Sequence, residues 1–422
     1  MTTDTLYTEA LARIASPGWL ADCRRLALDR YLASGLPDAR DEDWRYTSLE
    51  QLERQALRIP DAGADTMLAI EDYPGALMAF ADNRLIWQDT RLPTRMLGTL
   101  EDAEAPVRYG LGTLSEDSAL AQLNLALWQE GVCLHAPAVY RPRLPVFLRF
   151  AAVQAEVMLH PRVLVVMEHH SDAILVEHYL ADGDAPHWQN AVAEIFLKPG
   201  AHLTHIRLIE GGEGATHTHL VSVHQGRDSQ YRGLTLSLGG RLVRQDIQVT
   251  LADEGAEARL DGLFVADGRR HVDHHLRIDH AASHTTSRAT WRGMASGRGR
   301  GIFDGRVLVR HGTLQADARQ SSRNLLLSPH AEIDAKPQLE IYSDDVKCGH
   351  GATVGRLDED ALFYLASRGI DPATARDMLL TAFADQALGL ADDAGLRDWL
   401  QPRLAAALPV LPKAANTREV RP

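Results

Sequence analysis

The sequence predicts a mainly β protein that is helical near both ends. Short runs typical of strands recur from about residue 190 to 345, where helical periodicity disappears. A turn with Pro, Gly or Asp, then Ala and an alternating strand, repeats in LKPGAHLTHI, LADEGAEARLDG and LLSPHAEIDAKPQLEI. Helical spacing of apolar residues occupies the first 60 residues and returns after residue 350. This pattern fits a sandwich, a cupin-like barrel or a parallel β-helix, and its irregular spacing leaves all three open.

The N-terminal elements are predicted to be mixed. A helical pattern runs to Gly35, and Thr47 or Ser48 could cap a short helix with Glu50 in its first turn. From about 66 to 170 we expect a helix in SEDSALAQLNLALWQEG and strands in PRVLVVMEHH and DAILVEHYL.

Three amphipathic helices are predicted after the β region. Asp358 can cap the first, Asp371 followed by Pro372 starts the second, and Pro402 interrupts the third. Their apolar positions form either an internal core or an outward face for a partner. These positions include Leu362, Leu365, Met378, Leu379, Phe383, Leu388, Leu396, Trp399 and Leu400.

Composition limits the function. A chain of 422 residues is expected to form two or three compact units. Its formal net charge of -13 and the lack of a basic run argue against nucleic-acid binding. No window approaches a membrane span, and three scattered cysteines do not suggest disulfides, so we expect a cytoplasmic protein. The chain also lacks a GxxxxGK[ST] loop, a dinucleotide fingerprint, a GxSxG elbow and a CxxC pair. The glycine-rich GMASGRGRGIF is predicted to be a turn between strands rather than a phosphate loop.

Two histidine clusters could bind a metal. His217 and His219 would share one face of a strand, and HVDHH adds His271, His274 and His275. A cupin-type site would also need a nearby carboxylate, which GATHTHLVSVHQG does not supply. Surface or packing histidines are the alternative.

Cys348 and His350 in VKCGHGA form the other candidate site. On a strand their side chains would point the same way, and a thiolate with an imidazole makes half of a four-ligand site. The remaining ligands would come from distant residues or from another subunit. The alternative is a buried free cysteine beside a hydrogen-bonded histidine.

The segment KPQLEIYSDDVKCGHGATVGRLDEDALFYLASRGI resembles the C-terminal block of the SufB/SufD family of SUF iron-sulfur cluster assembly proteins. HTTSRATWRGMASGRGRGIFDGRVLV, DARQSSRNLLLS and LPDARDEDWRYTSLEQL are also similar to that family. Because SufB typically reads VEHEAT where this chain reads VKCGHGAT, the resemblance favours the SufD branch.

The resemblance implies a right-handed parallel β-helix core at 151–355, after an N-terminal helical and mixed α/β region at 1–150. A C-terminal helical domain at 356–412 and a tail at 413–422 would follow. It further implies pairing with SufB through the β-helix and binding of the ATPase SufC through the C-terminal helices, with no ATP bound by this chain. A homodimer could form when the chain is isolated.

The implied function is that of a non-enzymatic scaffold. His350 matches the family's proposed cluster-forming histidine, and Cys348 is a second candidate ligand. A transient iron-sulfur cluster, or iron, would be shared with SufB across the interface. Two alternatives stay open. One is a stand-alone cupin-type metalloenzyme that uses His217, His219 and the 271–275 cluster, and the other is a purely architectural spacer.

Overall fold

The computed structural model describes residues 3–14, 16–55, 57–60, 69–91, 96–101, 104, 108–181 and 183–410. The predicted tail at 413–422 lies outside them. The helices are α1 (Thr3–Arg13), α2 (Gly18–Ser34), α3 (Glu50–Arg54), α4 (Ala119–Leu127), α5 (Glu359–Ser367), α6 (Pro372–Asp385) and α7 (Ala394–Ala407). The strands before residue 200 are β1 (Ala76–Ala81), β2 (Arg84–Gln88), β3 (Leu97–Thr99), β4 (Val132–Ala136), β5 (Val146–Ala152), β6 (Val157–Leu159), β7 (Arg162–Met167), β8 (Asp172–Ala181) and β9 (His187–Leu197). The later strands are β10 (His202–Gly211), β11 (Ala215–Gln225), β12 (Gln230–Ser237), β13 (Leu242–Leu251), β14 (Glu257–Ala266), β15 (His271–His280), β16 (Thr286–Ala295), β17 (Arg300–Val309), β18 (Ala316–Leu326), β19 (Glu332–Ile341) and β20 (Val346–Gly355).

The strands form a parallel β-solenoid, which confirms the predicted β-helix. From β8 onward, successive strands alternate between two sheets, and each pairs in parallel with the strand two positions along. Sheet A runs β3-β4-β7-β9-β11-β13-β15-β17-β19, with β6 beside β9. Sheet B runs β2-β1-β5-β8-β10-β12-β14-β16-β18-β20. The chain therefore winds around a single lumen between the two sheets.

The solenoid lumen is closely packed. Alternate residues of both sheets point inward and form the main apolar core, for example Val221 and Val223 on β11 and Phe264 on β14. The predicted GRGRG turn lies between β16 and β17. There Gly297 has a φ of 63°, and a Cβ on it would lie 3.0 Å from Gly268 Cα of the preceding repeat. Glycine thus allows consecutive turns to stack closely.

The N-terminal region packs on the outer face of sheet A, with contacts from β9 to β19. Apolar residues of α1, α2 and α4 form a core with Trp188 of β9, and Leu242 of β13 packs against it. The proposed boundary between residues 150 and 151 falls inside β5, and β1 also belongs to sheet B. The other proposed boundary coincides with the end of β20 at Gly355.

The C-terminal helices pack on the outer face of sheet B. Leu380, Leu388, Leu396, Leu400 and Leu404 are buried against outward-facing residues of the sheet. In contrast, α5 buries no residue, and Phe363, Tyr364 and Met378 are exposed. The helical segment therefore has both an inward core and an outward apolar face.

One open alternative is decided and one local prediction was wrong. Of the two capping candidates before α3, Ser48 Oγ accepts from the backbone N–H of Glu50, whereas Thr47 donates to Asp273 and lies 2.8 Å from His271 Nε2. The predicted interruption at Pro402 is not observed. Helix α7 continues through Pro402 to Ala407. Packing of its apolar face against sheet B stabilises it, whereas local propensity alone would end the helix.

No helix among the described residues is long and apolar enough to cross a membrane.

Candidate functional site

Cys348 and His350 lie on β20, the last strand of sheet B. Within the described chain, β20 pairs only with β18, and β19 at the end of sheet A pairs only with β17. The backbone groups on the outer edges of both strands therefore have no strand partner. We call this region, formed by β19 and β20, the open end of the solenoid.

The register places both candidate residues on the inner face of sheet B. Cys348 is opposite Ala318, and His350 is opposite Gln320 on β18. Ala318 and Gln320 are buried inward-facing residues. Because side chains alternate along a strand, Cys348 and His350 continue their two inner rows. The sequence prediction that the two side chains point the same way is thus supported by the register.

Their environments differ. Cys348 is half-buried and packs against the main core, whereas His350 is exposed. Burial raises the pKa of the Cys348 thiol, opposed in part by the backbone N–H of Ala318. The thiol is therefore protonated at neutral pH and would have to lose its proton in order to bind a metal as a thiolate.

The outer face of the same strands forms a groove with a volume of about 510 Å³. Arg288, Arg319 and Lys347 are among its lining residues. Asp317 accepts two hydrogen bonds from Arg288 at 2.9 and 2.8 Å and lies 3.6 Å from Arg319 Nε. The positive charges of Arg288 and Arg319 in this groove are therefore close to the Asp317 carboxylate of the same chain.

Across the described residues, no group of three His, Cys, Asp or Glu side chains is arranged to hold a metal ion. Within this region, Cys348 and His350 can supply two ligands from one strand. The arrangement is chemically a half-site that needs ligands from outside the described chain.

His217 and His219 lie together inside the lumen. Both are buried on the inward face of β11, as the sequence predicted for a shared face. A carboxylate that the sequence analysis missed is nearby, because His219 Nε2 lies 3.6 Å from Glu177 Oε2. Glu177 Oε1 is, however, hydrogen-bonded to His205 Nε2 at 2.8 Å. Burial lowers the pKa of His217 to about 3, which makes the ring neutral at physiological pH.

The 271–275 cluster is divided between two faces of sheet A. His274 points into the lumen, where Trp291 Nε1 donates to its Nδ1 at 2.9 Å and Ser237 Oγ lies 2.8 Å from its Nε2. The indole N–H can only donate, so the His274 proton is on Nε2. His271 and His275 face the N-terminal region beside Thr47 and Asp273. The cupin-type grouping of His217 and His219 with all three residues is therefore not formed.

Sequence reasoning missed Gln320. It is the inward neighbour of His350 one repeat earlier, and only 3% of its surface is exposed. Its position one repeat before His350 could have pointed to it. That position can be recognised only when the register between β18 and β20 is known.

Comparisons with known proteins identify the family of this chain. Residues 150–383 match the family model described as SUF system FeS cluster assembly, SufBD core domain. The chain is 28% identical over 420 residues to an iron-sulfur cluster assembly SufBD family protein of Synechocystis, covering 91% of this chain and 90% of the relative. It is 29% identical over 391 residues to the iron-sulfur cluster assembly protein SufD of Escherichia coli, covering 90% and 92%. It is also 33% identical over 244 residues to the chloroplastic protein ABCI7 of Arabidopsis thaliana, covering 57% and 51%.

The fold and the site define a parallel β-solenoid protein with candidate ligand residues at its open end. The chain belongs to the SufBD family of the SUF system, a family of iron-sulfur cluster assembly proteins. The resemblance to the SufB/SufD family is thereby confirmed.

Proposed function

We propose that this chain is a non-catalytic scaffold subunit of a SUF assembly complex in the cytoplasm. In this role it pairs with a SufB-like sister subunit through its solenoid, binds a SufC-like ATPase through its C-terminal helices, and itself binds no ATP. His350, with Cys348 as a second candidate, binds a nascent iron-sulfur cluster or iron that the two solenoids share as cargo. The observation that carries the proposal is the location of these two residues on an edge strand, whose outer edge has no partner strand among the described residues.

The two ends of the solenoid support pairing at the open end. At the other end, the sheets finish in the antiparallel pairs β1-β2 and β3-β4, with β2 and β3 only five and three residues long. At the open end, β19 and β20 are parallel strands of ten residues each. Long, unprotected edge strands favour pairing with another chain. A sister solenoid would extend these sheets, and a second copy of this chain could do so when the sister is absent.

The surface of the C-terminal helices supports binding of the ATPase. Phe363 and Tyr364 on α5 are exposed by 75% and 57%, and Met378 on α6 by 47%. A groove of about 780 Å³ runs between α6 and α7, with Met378, Leu404 and Leu408 among its lining residues. Exposed apolar surface of this extent is typical of an interaction site. ATP-driven movement of the bound ATPase could then shift one solenoid relative to the other.

The ligand chemistry supports temporary binding of the cargo. His350 is exposed on the edge strand, so a neighbouring subunit can add ligands without unfolding the solenoid. A neutral imidazole binds iron more weakly than a thiolate, which eases release of a completed cluster. Since the Cys348 thiol is protonated at neutral pH, its binding to iron would release a proton.

The test is cluster assembly in the reconstituted three-subunit complex with His350→Ala. We expect a large loss of cluster and bound iron, while the complex itself still forms. His330→Ala is the matched control, because His330 is also exposed but lies in the turn before β19. An unchanged yield with His350→Ala would reject the ligand role and favour a purely architectural subunit.

A further inference from the structure

Gln320 is a buried amide without a hydrogen-bond partner among the described residues. Its side chain is 3% exposed, and neither Oε1 nor Nε2 forms a hydrogen bond with another described residue. Across the lumen, a Cβ added to Gly305 would lie 1.8 Å from Gln320 Nε2. The glycine on β17 therefore provides the space that this carboxamide occupies.

The fold does not require an amide at this position. The same inward row contains Leu260 on β14 and Ala289 on β16, both buried in the main core. A buried polar group without a hydrogen bond costs about 1–3 kcal/mol. An apolar residue at position 320 would continue the row and avoid that cost, so stability does not explain the glutamine.

The next residue in the row after Gln320 is His350. Paired residues of adjacent strands lie about 4.8 Å apart at the backbone, so the two side chains are close neighbours on one face. The buried amide and the exposed imidazole thus belong to one local unit at the open end.

We propose that Gln320 is a positioning residue for His350, an inference that depends on the proposed ligand role of His350. A histidine that binds a metal through one nitrogen almost always donates its other ring N–H to an oxygen acceptor. Gln320 Oε1 is the acceptor that the neighbouring strand provides. When iron binds to one nitrogen of His350, the other nitrogen donates to this oxygen, which fixes the tautomer and the orientation of the ring.

The experiment uses Co²⁺ as a spectroscopic probe on the reconstituted complex and compares Gln320→Leu with wild type. We expect a 10- to 100-fold weaker Co²⁺ affinity, measured from the visible absorption bands, which is the usual effect of losing such a partner. Gln320→Glu keeps an oxygen acceptor and should bind Co²⁺ within a few-fold of wild type. Urea denaturation of the isolated chain should show Gln320→Leu to be at least as stable as wild type.

Gln245→Leu is the matched control. Gln245 is also buried, and neither of its amide atoms is hydrogen-bonded to a described residue, but it lies on β13 between His219 and His274 in the lumen. This variant should leave Co²⁺ affinity unchanged. If the Gln320→Leu protein proves unstable, Gln320→Met provides the same comparison with an unbranched side chain.

The outcomes separate the two proposals. If His350→Ala abolishes Co²⁺ binding and Gln320→Leu leaves it unchanged, the positioning role is rejected and the ligand role stands. If His350→Ala has no effect, the ligand role itself is rejected. Equal weakening by Gln320→Leu and Gln245→Leu would assign the effect to general disturbance of the lumen and overturn the inference.

Discussion

Several buried histidines face the lumen, among them His217 on β11 and His274 on β15. Burial holds the pKa of His217 and of His274 at about 3, so both rings are neutral at physiological pH. His274 has two hydrogen-bond partners, whereas neither nitrogen of His217 is hydrogen-bonded to a described residue. Protonating such a ring inside the lumen would place a charge in an apolar core, which makes the fold sensitive to acid.

Replacing His217 with Gln should reduce this acid sensitivity. In the unfolded chain a histidine binds a proton below a pH of about 6.5, but in the folded protein His217 does so only near its pKa of about 3. Its contribution to stability is therefore complete above pH 6.5 and declines as the pH falls toward 3. Between pH 8 and pH 5, wild type should lose about 2 kcal/mol more unfolding free energy than His217→Gln.

Urea denaturation at the two pH values measures that difference. His330→Gln is the control, because His330 is exposed and its replacement should leave the pH dependence of wild type intact. Identical pH dependence in His217→Gln and wild type would contradict the assignment of acid sensitivity to this ring.

The sequence could show that His217 and His219 share a face, because strand periodicity is local. It could not show that this face points into the lumen. Glu177, which lies near His219, is on a different sheet and distant in the chain. Similarly, Cys348 and His350 were found as a pair, whereas the importance of Gln320 depends on the register between β18 and β20.

Elements with strong local signals were predicted well. Asp358 and Asp371 each accept a hydrogen bond from the first turn of a helix, and Gly35 ends α2 with a φ of 71°. Local signals were insufficient where tertiary contacts decide the structure. The sequence left Thr47 and Ser48 as alternative caps of α3, and the contact of Thr47 with Asp273 decides between them. The predicted break at Pro402 was wrong, because the apolar face of α7 packs on sheet B.

The attachment of α7 to the solenoid is tested by Leu400→Ala. Leu400 is fully buried in the core between the C-terminal helices and sheet B. Removing its side chain should lower the unfolding free energy by about 2–5 kcal/mol, through lost burial and the resulting cavity. Hydrogen exchange should also accelerate in α6 and α7.

Met378→Ala is the comparison for Leu400→Ala, because Met378 lies on α6 but is exposed. The unfolding free energy of the Met378→Ala protein should stay within about 0.5 kcal/mol of wild type. A similar small effect for Leu400→Ala would show that α7 is not held to the sheet by this core.

At the scale of the whole molecule, composition and periodicity indicated a mainly β chain with helices at both ends. They could not separate a solenoid from a sandwich or a barrel, because the three differ in pairing between distant strands and share the same local alternation. The resemblance to the SufB/SufD family supplied the β-helix. The two ends of the solenoid differ, because one finishes in short antiparallel pairs and the other in the parallel strands β19 and β20. This asymmetry arises from pairing between distant strands and cannot be recognised in any one segment of the sequence.

That asymmetry predicts which end would pair with the proposed sister subunit. Val354 on β20 is 44% exposed at the open end, and Trp87 on β2 is 49% exposed at the opposite end of the same sheet. A carboxylate at position 354 would be buried without a partner in the interface, so Val354→Asp should reduce recovery of the sister subunit at least tenfold, a change of about 1.4 kcal/mol. Trp87→Asp should leave that recovery unchanged, and both variants should still capture the ATPase, because neither residue lies on the C-terminal helices.

Co-purification from cells that express all three subunits measures both interactions. Loss of the sister subunit with Trp87→Asp but not with Val354→Asp would assign pairing to the β2 end, and His350 would then be too far from the interface to share a cluster.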